Sequence, residues 1–156
     1  MLEVLIFLFE NYMIGDDDYQ PDPESLSVEL SRAGFDNDEI DRAFDWLENL
    51  SVMCESDDEN TPMAEMASTR HYTADEQLRI DLSAQSLLLS LEQSGVLDTA
   101  AREMVVDRIM ALDSDDIDID DVKWVIMMVL CNRPNRQHVY PWAEDLIVDG
   151  IKAHLH

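Results

Sequence analysis

The residues of this chain best supplied for chemistry are its carboxylates, and their densest run is Asp113, Asp115, Asp116, Asp118, Asp120 and Asp121. Alternating aspartates are how a calcium loop surrounds its ion with oxygens. In the frame that opens at Asp116, Asp118 and Asp120 take the third and fifth ligand places. The sixth place, which needs glycine for a sharp turn, holds Asp121, and the twelfth, which needs a bidentate glutamate, holds Met127. The run is therefore expected to open a helix, where acidic side chains complement the macrodipole, with weak adventitious cation binding as the alternative.

Other reactive residues are scattered. Cys54, His71, Cys131 and His138 have none of the paired spacing of a zinc knuckle, so the cysteines read as small core residues and no metal site is expected. Cys54 and Cys131 lie in no C-x-x-C pattern, which excludes a disulfide framework and favours a reducing compartment. The four glycines, Gly15, Gly34, Gly95 and Gly150, build neither a phosphate loop nor a nucleophile elbow. Pairs of carboxylates carry no information on so acidic a chain. No catalytic residue and no cofactor are expected, and the chain reads as a non-enzyme.

Acidity limits the partners. The 156 residues include 35 Asp and Glu against 10 Lys and Arg, a formal charge of −25. Bare nucleic acid is bound by neutralising phosphates with basic side chains, so a chain of this charge is not expected to bind DNA directly. Only Lys123 and Lys152 are lysines, and aspartate outnumbers glutamate, a bias that adaptation to salt would also produce. The chain is nonetheless 46% hydrophobic, enough to fill a core. Its longest apolar run, Trp124 to Cys131, is a core helix rather than a span, since crossing a bilayer takes about 20 residues. The apolar N-terminus is bracketed by Glu3 and Glu10, lacks a basic flank, and does not read as a signal peptide. A cytoplasmic protein without membrane contact is expected.

Start and stop signals predict the elements. A first helix runs from Leu2 to Ile14 and stops at Gly15. A second has Asp22 as N-cap, Pro23 at its first position and Gly34 as its stop. A third runs from Asp36 to about Leu50, with Ile40, Ala43, Phe44, Leu47 and Leu50 on one side and Asp38, Asp41, Asp45 and Glu48 on the other. Trp46 falls at the edge of the apolar stripe, either as a boundary core residue or as a partner contact. The stretch Glu55 to Pro62 reads as a loop, flanked by Val52, Met53 and Cys54 and by Arg70, His71 and Tyr72 as the strands of a short hairpin. Thr73 and Glu76 form a capping box that opens a helix running to Gly95; Asp98 or Thr99 caps the next, and Asp120 to Cys131 forms a sixth. Arg133, Arg136 and His138 complement that helix's C-terminus, and a last helix begins near Pro141.

The chain resembles the Smg family of small bacterial proteins of unknown function nearly end to end. The resemblance is carried by L-E-V-L-I-F-L-F-E-N-Y from Leu2, A-G-F-D-N-D-E-I-D-R-A-F-D-W-L-E-N-L from Ala33, R-H-Y-T-A-D-E from Arg70, R-E-M-V-V-D-R-I-M-A-L-D from Arg102 and D-V-K-W-V-I-M-M-V-L from Asp121. It implies a bacterial cytoplasmic protein and brings no catalytic residues with it. The helix order is also similar to a winged helix, with Asp36 to Leu50 in the recognition position. There Arg42 stands alone against four acids, which would repel a duplex.

The fold expected is mainly α: a winged-helix-like three-helix unit with a short β-hairpin, residues 1–73, packed on a C-terminal helical bundle, residues 74–156. The function expected is a protein-binding adaptor or regulator that meets the basic surface of another protein through Asp38, Asp41, Asp45, Trp46 and Glu48. The alternative is nucleic-acid-linked regulation, by a winged-helix contact or by acidic mimicry of nucleic acid.

Overall fold

A computed structural model of the chain describes residues 1–13, 22–58 and 71–133. Helix α1, Leu2–Leu8, passes directly into a π-helical turn, Phe9–Met13. It is followed by α2 (Pro23–Ala33), α3 (Asn37–Asp58), α4 (Ala74–Arg79), α5 (Leu82–Gln93), α6 (Thr99–Met110) and α7 (Ile119–Asn132). No strand occurs among the described residues. The predicted stop at Gly15, the helix from Pro141, and Arg70, Arg136 and His138 lie outside them.

The local signals at helix ends act as their chemistry requires. Asp22 caps α2 with Pro23 at its first position. The chain leaves α2 through Gly34 at φ 103°, the Phe35 N–H donating to the Leu30 carbonyl at 3.2 Å and the Gly34 N–H to Ser31 at 3.2 Å. This paired closure needs a left-handed residue. A Cβ at Gly34 would meet nothing within 4 Å, so the backbone angle, not crowding, asks for glycine. Thr73 and Glu76 form the predicted reciprocal box on α4, Asp98 caps α6, and Asp118 with Asp121 makes a second box on α7. The aspartate run thus opens α7, as its charge pattern predicts.

The winged-helix reading with its hairpin is overturned. Val52, Met53 and Cys54, the expected first strand, are turns of α3, which continues to Asp58; His71 and Tyr72 are in no strand. The cause is burial: Trp46, Leu50 and Cys54 recur at every fourth position on the core side of α3, so continuing the helix buries Cys54. Without a wing, the topology that suggested nucleic acid is gone. The single helix predicted from Thr73 to Gly95 is also two. Ile80 takes an extended conformation at the break and Asp81 caps α5, its carboxylate accepting from the Ala84 N–H at 2.8 Å. Ile80 itself is fully buried, so the break turns an apolar side chain into the core.

One continuous core receives residues from every helix except α4, and from Ile80 next to it. Its centre is α7, whose residues Trp124 to Leu130 are buried in succession and hence on all sides. Helix α3 packs on α1, α2, α6 and α7 and so joins the two halves of the chain. Edge-on aromatic pairs, Phe7 with Phe35 at 5.8 Å and Phe9 with Trp124 at 5.9 Å, fasten α1 and the π-helical turn to α2's exit and to α7. Arg79 closes α4 onto α6 by donating to the carbonyls of Met110 (3.0 Å) and Leu112 (2.9 Å), a cation at a helix C-terminus.

Asp22 gives the fold a pH-dependent end. The Ser25 hydroxyl (2.8 Å) and the Ser25 N–H (3.3 Å) donate to its carboxylate, holding its pKa below the ordinary 3.8. A lowered pKa contributes stability that is complete above the unfolded-state value and lost as pH falls through the folded one. Asp22→Ala should therefore melt below the parent at neutral pH, and the gap should close as pH drops below 3.8. Thermal denaturation followed by circular dichroism against pH checks this.

Candidate functional site

The acidic face of α3 comes from spacing. Asp38, Asp41, Asp45 and Glu48 recur at intervals of three and four, which keeps them on one side of a helix, and all four are exposed. From Asp38 to Glu48 this face runs about 15 Å along the axis at ~1.5 Å per residue. Because α3 does not stop at Leu50, the same register continues through Val52, 56% exposed, to the exposed Glu55. Val52 and Glu55 were not among the residues expected here, since the hairpin reading took them out of the helix.

Charge on this face is uncompensated. Among the described residues no cation lies within ion-pair distance of the carboxylates of Asp38, Asp41, Asp45 or Glu48. Arg42 stands amid them but points its guanidinium elsewhere. Its Nε donates to the Asp38 carbonyl at 3.0 Å and its Nη1 to the Asp113 carboxylate at 2.5 Å, tying α3 to the segment before α7. Like charges three and four apart repel, so the face costs α3 some helix stability.

Trp46 lies on the other side of α3, only 3% exposed. Its indole N–H donates to the Arg108 carbonyl at 3.0 Å, while Arg108 donates from Nη1 to the Trp46 carbonyl at 3.2 Å and sets its guanidinium 5.6 Å from the centre of the Trp46 ring. The structure thus separates the five expected residues, four carboxylates on the surface and the tryptophan inside. Trp46 is the anchor that orients the acidic face.

Arg108 and Arg102, buried on α6, were missed by sequence reasoning. Arg102 grips both oxygens of Glu92 at 2.8 and 2.7 Å and reaches Glu103 at 3.2 Å. Burial opposes its charge, but the hydrogen bonds and negative charge of Glu92 and then Glu103 outweigh burial and raise its pKa above the ordinary guanidinium value. The available signal was two arginines interleaved with Met104, Val105, Val106 and Ile109 in a chain short of bases. The cysteines read as core residues sit as expected in part: Cys54 is buried and Cys131 half-buried. No group of three or more His, Cys, Asp or Glu among the described residues is arranged to hold a metal ion.

A family model described as "Protein of unknown function (DUF494)" matches residues 1–156. A Protein Smg homolog of Nitrosococcus oceani is 44% identical over 156 residues, which are 100% of this chain and 98% of that protein. The chain belongs to the Smg family. Smg homologs of Alkalilimnicola ehrlichii (46% identical, 96% of this chain and 94% of theirs) and Thioalkalivibrio sulfidiphilus (46%, 100% and 98%) are similar to it over the same extent. No solved structure matches the chain. None of these names carries an activity or a partner, so the use of this Smg-family surface has to be argued from its geometry.

Two substitutions separate the faces of α3. Trp46→Phe leaves the Arg108 carbonyl without its donor inside the core and should lower stability by about 1–3 kcal/mol. Changing Asp38, Asp41 and Asp45 to Asn and Glu48 to Gln relieves repulsion and should raise the melting temperature slightly at low salt, an effect that added salt removes. Urea unfolding at two ionic strengths measures both.

Proposed function

We propose that this Smg-family chain is a non-enzymatic cytoplasmic adaptor or regulator that binds another protein, using the acidic face of α3 to meet a basic surface. The observation that carries the reading is the pairing of opposites on one helix. The side of α3 bearing Trp46, Leu50 and Cys54 is fixed in the core, while the side bearing Asp38, Asp41, Asp45 and Glu48 is exposed and without cations. Held rigidly by its inner side, the face needs no ordering when a partner arrives, which lowers the cost of association. Unpaired carboxylates steer a basic partner at long range and reject an acidic one. That no described helix is long and apolar enough to cross a membrane is in keeping with this.

A nucleic-acid partner would need arginine or lysine where this helix holds carboxylates. Mimicry of nucleic acid by the acidic face is the remaining form of the alternative, and it too ends in a basic protein partner.

Affinity capture at physiological salt tests the reading directly. Capture with the parent chain and with the variant carrying Asn at 38, 41 and 45 and Gln at 48 should yield a basic protein that only the parent retains, released as salt rises. An identical set of captured proteins from both would overturn it. In parallel, mixed DNA and RNA should not be retarded by the chain at low salt, and retention at submicromolar protein would favour a direct nucleic-acid contact instead.

A further inference from the structure

The exposed side of α5 is built unlike the other described surface. From Leu82 to Leu91 the chain has no charged residue, and Leu82 (79% exposed) and Leu89 (48%) face outward one heptad apart, with Leu78 (83%) at the end of α4 just before them. Between the two α5 leucines lies Ser86, whose hydroxyl already donates to the Leu82 carbonyl at 2.8 Å. That donor can be covered without losing a hydrogen bond. The one carboxylate on α5, Glu92, is held by both oxygens to the buried Arg102. Every other described helix carries an exposed or half-exposed carboxylate: Glu3 on α1, Glu29 on α2, the face of α3, Asp75 on α4, Asp107 on α6, Asp120 on α7.

We infer that the α5 face is where two copies of this chain meet. The argument is electrostatic. A basic partner drawn by a charge of −25 finds nothing to pair with on α5, whereas a partner as acidic as the chain itself can approach closely only where carboxylates are absent or neutralised. A second copy is that partner, and a two-fold axis brings the same leucine-bearing face onto itself. With helices antiparallel across the axis, Leu82 of each copy lies toward Leu89 of the other, and the helix dipoles oppose favourably. Elsewhere the two molecules still repel, so association must strengthen as salt screens them. This is the reverse of the salt dependence of the α3 contact.

Sedimentation velocity on the full chain, over about 10 to 300 µM at low salt and at ~1 M salt, where the screening length is about 3 Å, is the test. The expected result is a monomer–dimer equilibrium whose dimer fraction rises with salt and with concentration. Leu82→Glu with Leu89→Glu should weaken dimerisation at least about tenfold, 1.4 kcal/mol, without lowering the melting temperature, since both side chains are exposed. Ser86→Asp, which keeps every leucine, should weaken it likewise by placing a charge at the centre of the face. A monomer throughout at high salt, a dimer that weakens as salt is added, or a dimer indifferent to these variants would each overturn the inference. Loss of the α3 partner leaves it untouched.

Discussion

The exchange between Trp46 and Arg108 is the contact on which the rest of the molecule depends. Each side chain donates to the other's carbonyl, and the guanidinium lies over the indole, so α3 and α6 are joined by two hydrogen bonds and a cation–π contact across 62 positions of sequence. Tryptophan and arginine bring donors that a buried site must satisfy. Here each satisfies the other against main chain that helix geometry holds in place. Because the Asp107 carboxylate also accepts from the Arg108 Nε and Nη2, the buried charge is compensated within its own helix. Asp38 to Glu48 face solvent because Trp46 is fixed inward.

The same economy explains why so few bases leave so acidic a surface. Arg42 reaches Asp113, Arg79 the end of α6, Arg102 Glu92, Arg108 Trp46, and Arg133 Asp98. Each connects two elements, and Arg102 and Arg108 are buried. Arginine suits the task because its planar fork satisfies several acceptors at once while remaining charged. Lysine could not replace it at Arg102, where one nitrogen serves both oxygens of Glu92 and another serves Glu103. Cations used in joints do not balance the surface, so the high negative charge and the architecture are connected.

What could be read from the sequence was local. Asp22 with Pro23, Gly34, Thr73 with Glu76, and Asp98 act through atoms within a turn of themselves, and so did the spacing that put four carboxylates on one side of α3. The misreadings came where distant packing overrode a local pattern. Val52, Met53 and Cys54 have strand-like side chains beside an acidic run, but burial of Cys54 keeps them helical. At Ile80 an unbroken apolar period concealed a break, although Asp81 carried the cap signal. The position of Trp46 could not be read from α3 alone, because its partner Arg108 lies on α6.

Helix α7 has a further consequence, which concerns time rather than binding. With Trp124 to Leu130 enclosed on every side, there is no partial opening that wets this helix while sparing its neighbours. Its central amides can exchange with solvent only when the whole molecule unfolds, whereas α4, with no buried residue, can open alone. A protease that needs an extended segment therefore meets either a chain frayed at the small helices or one that is wholly unfolded. The lifetime of the protein is then set by the rate at which α7 is released.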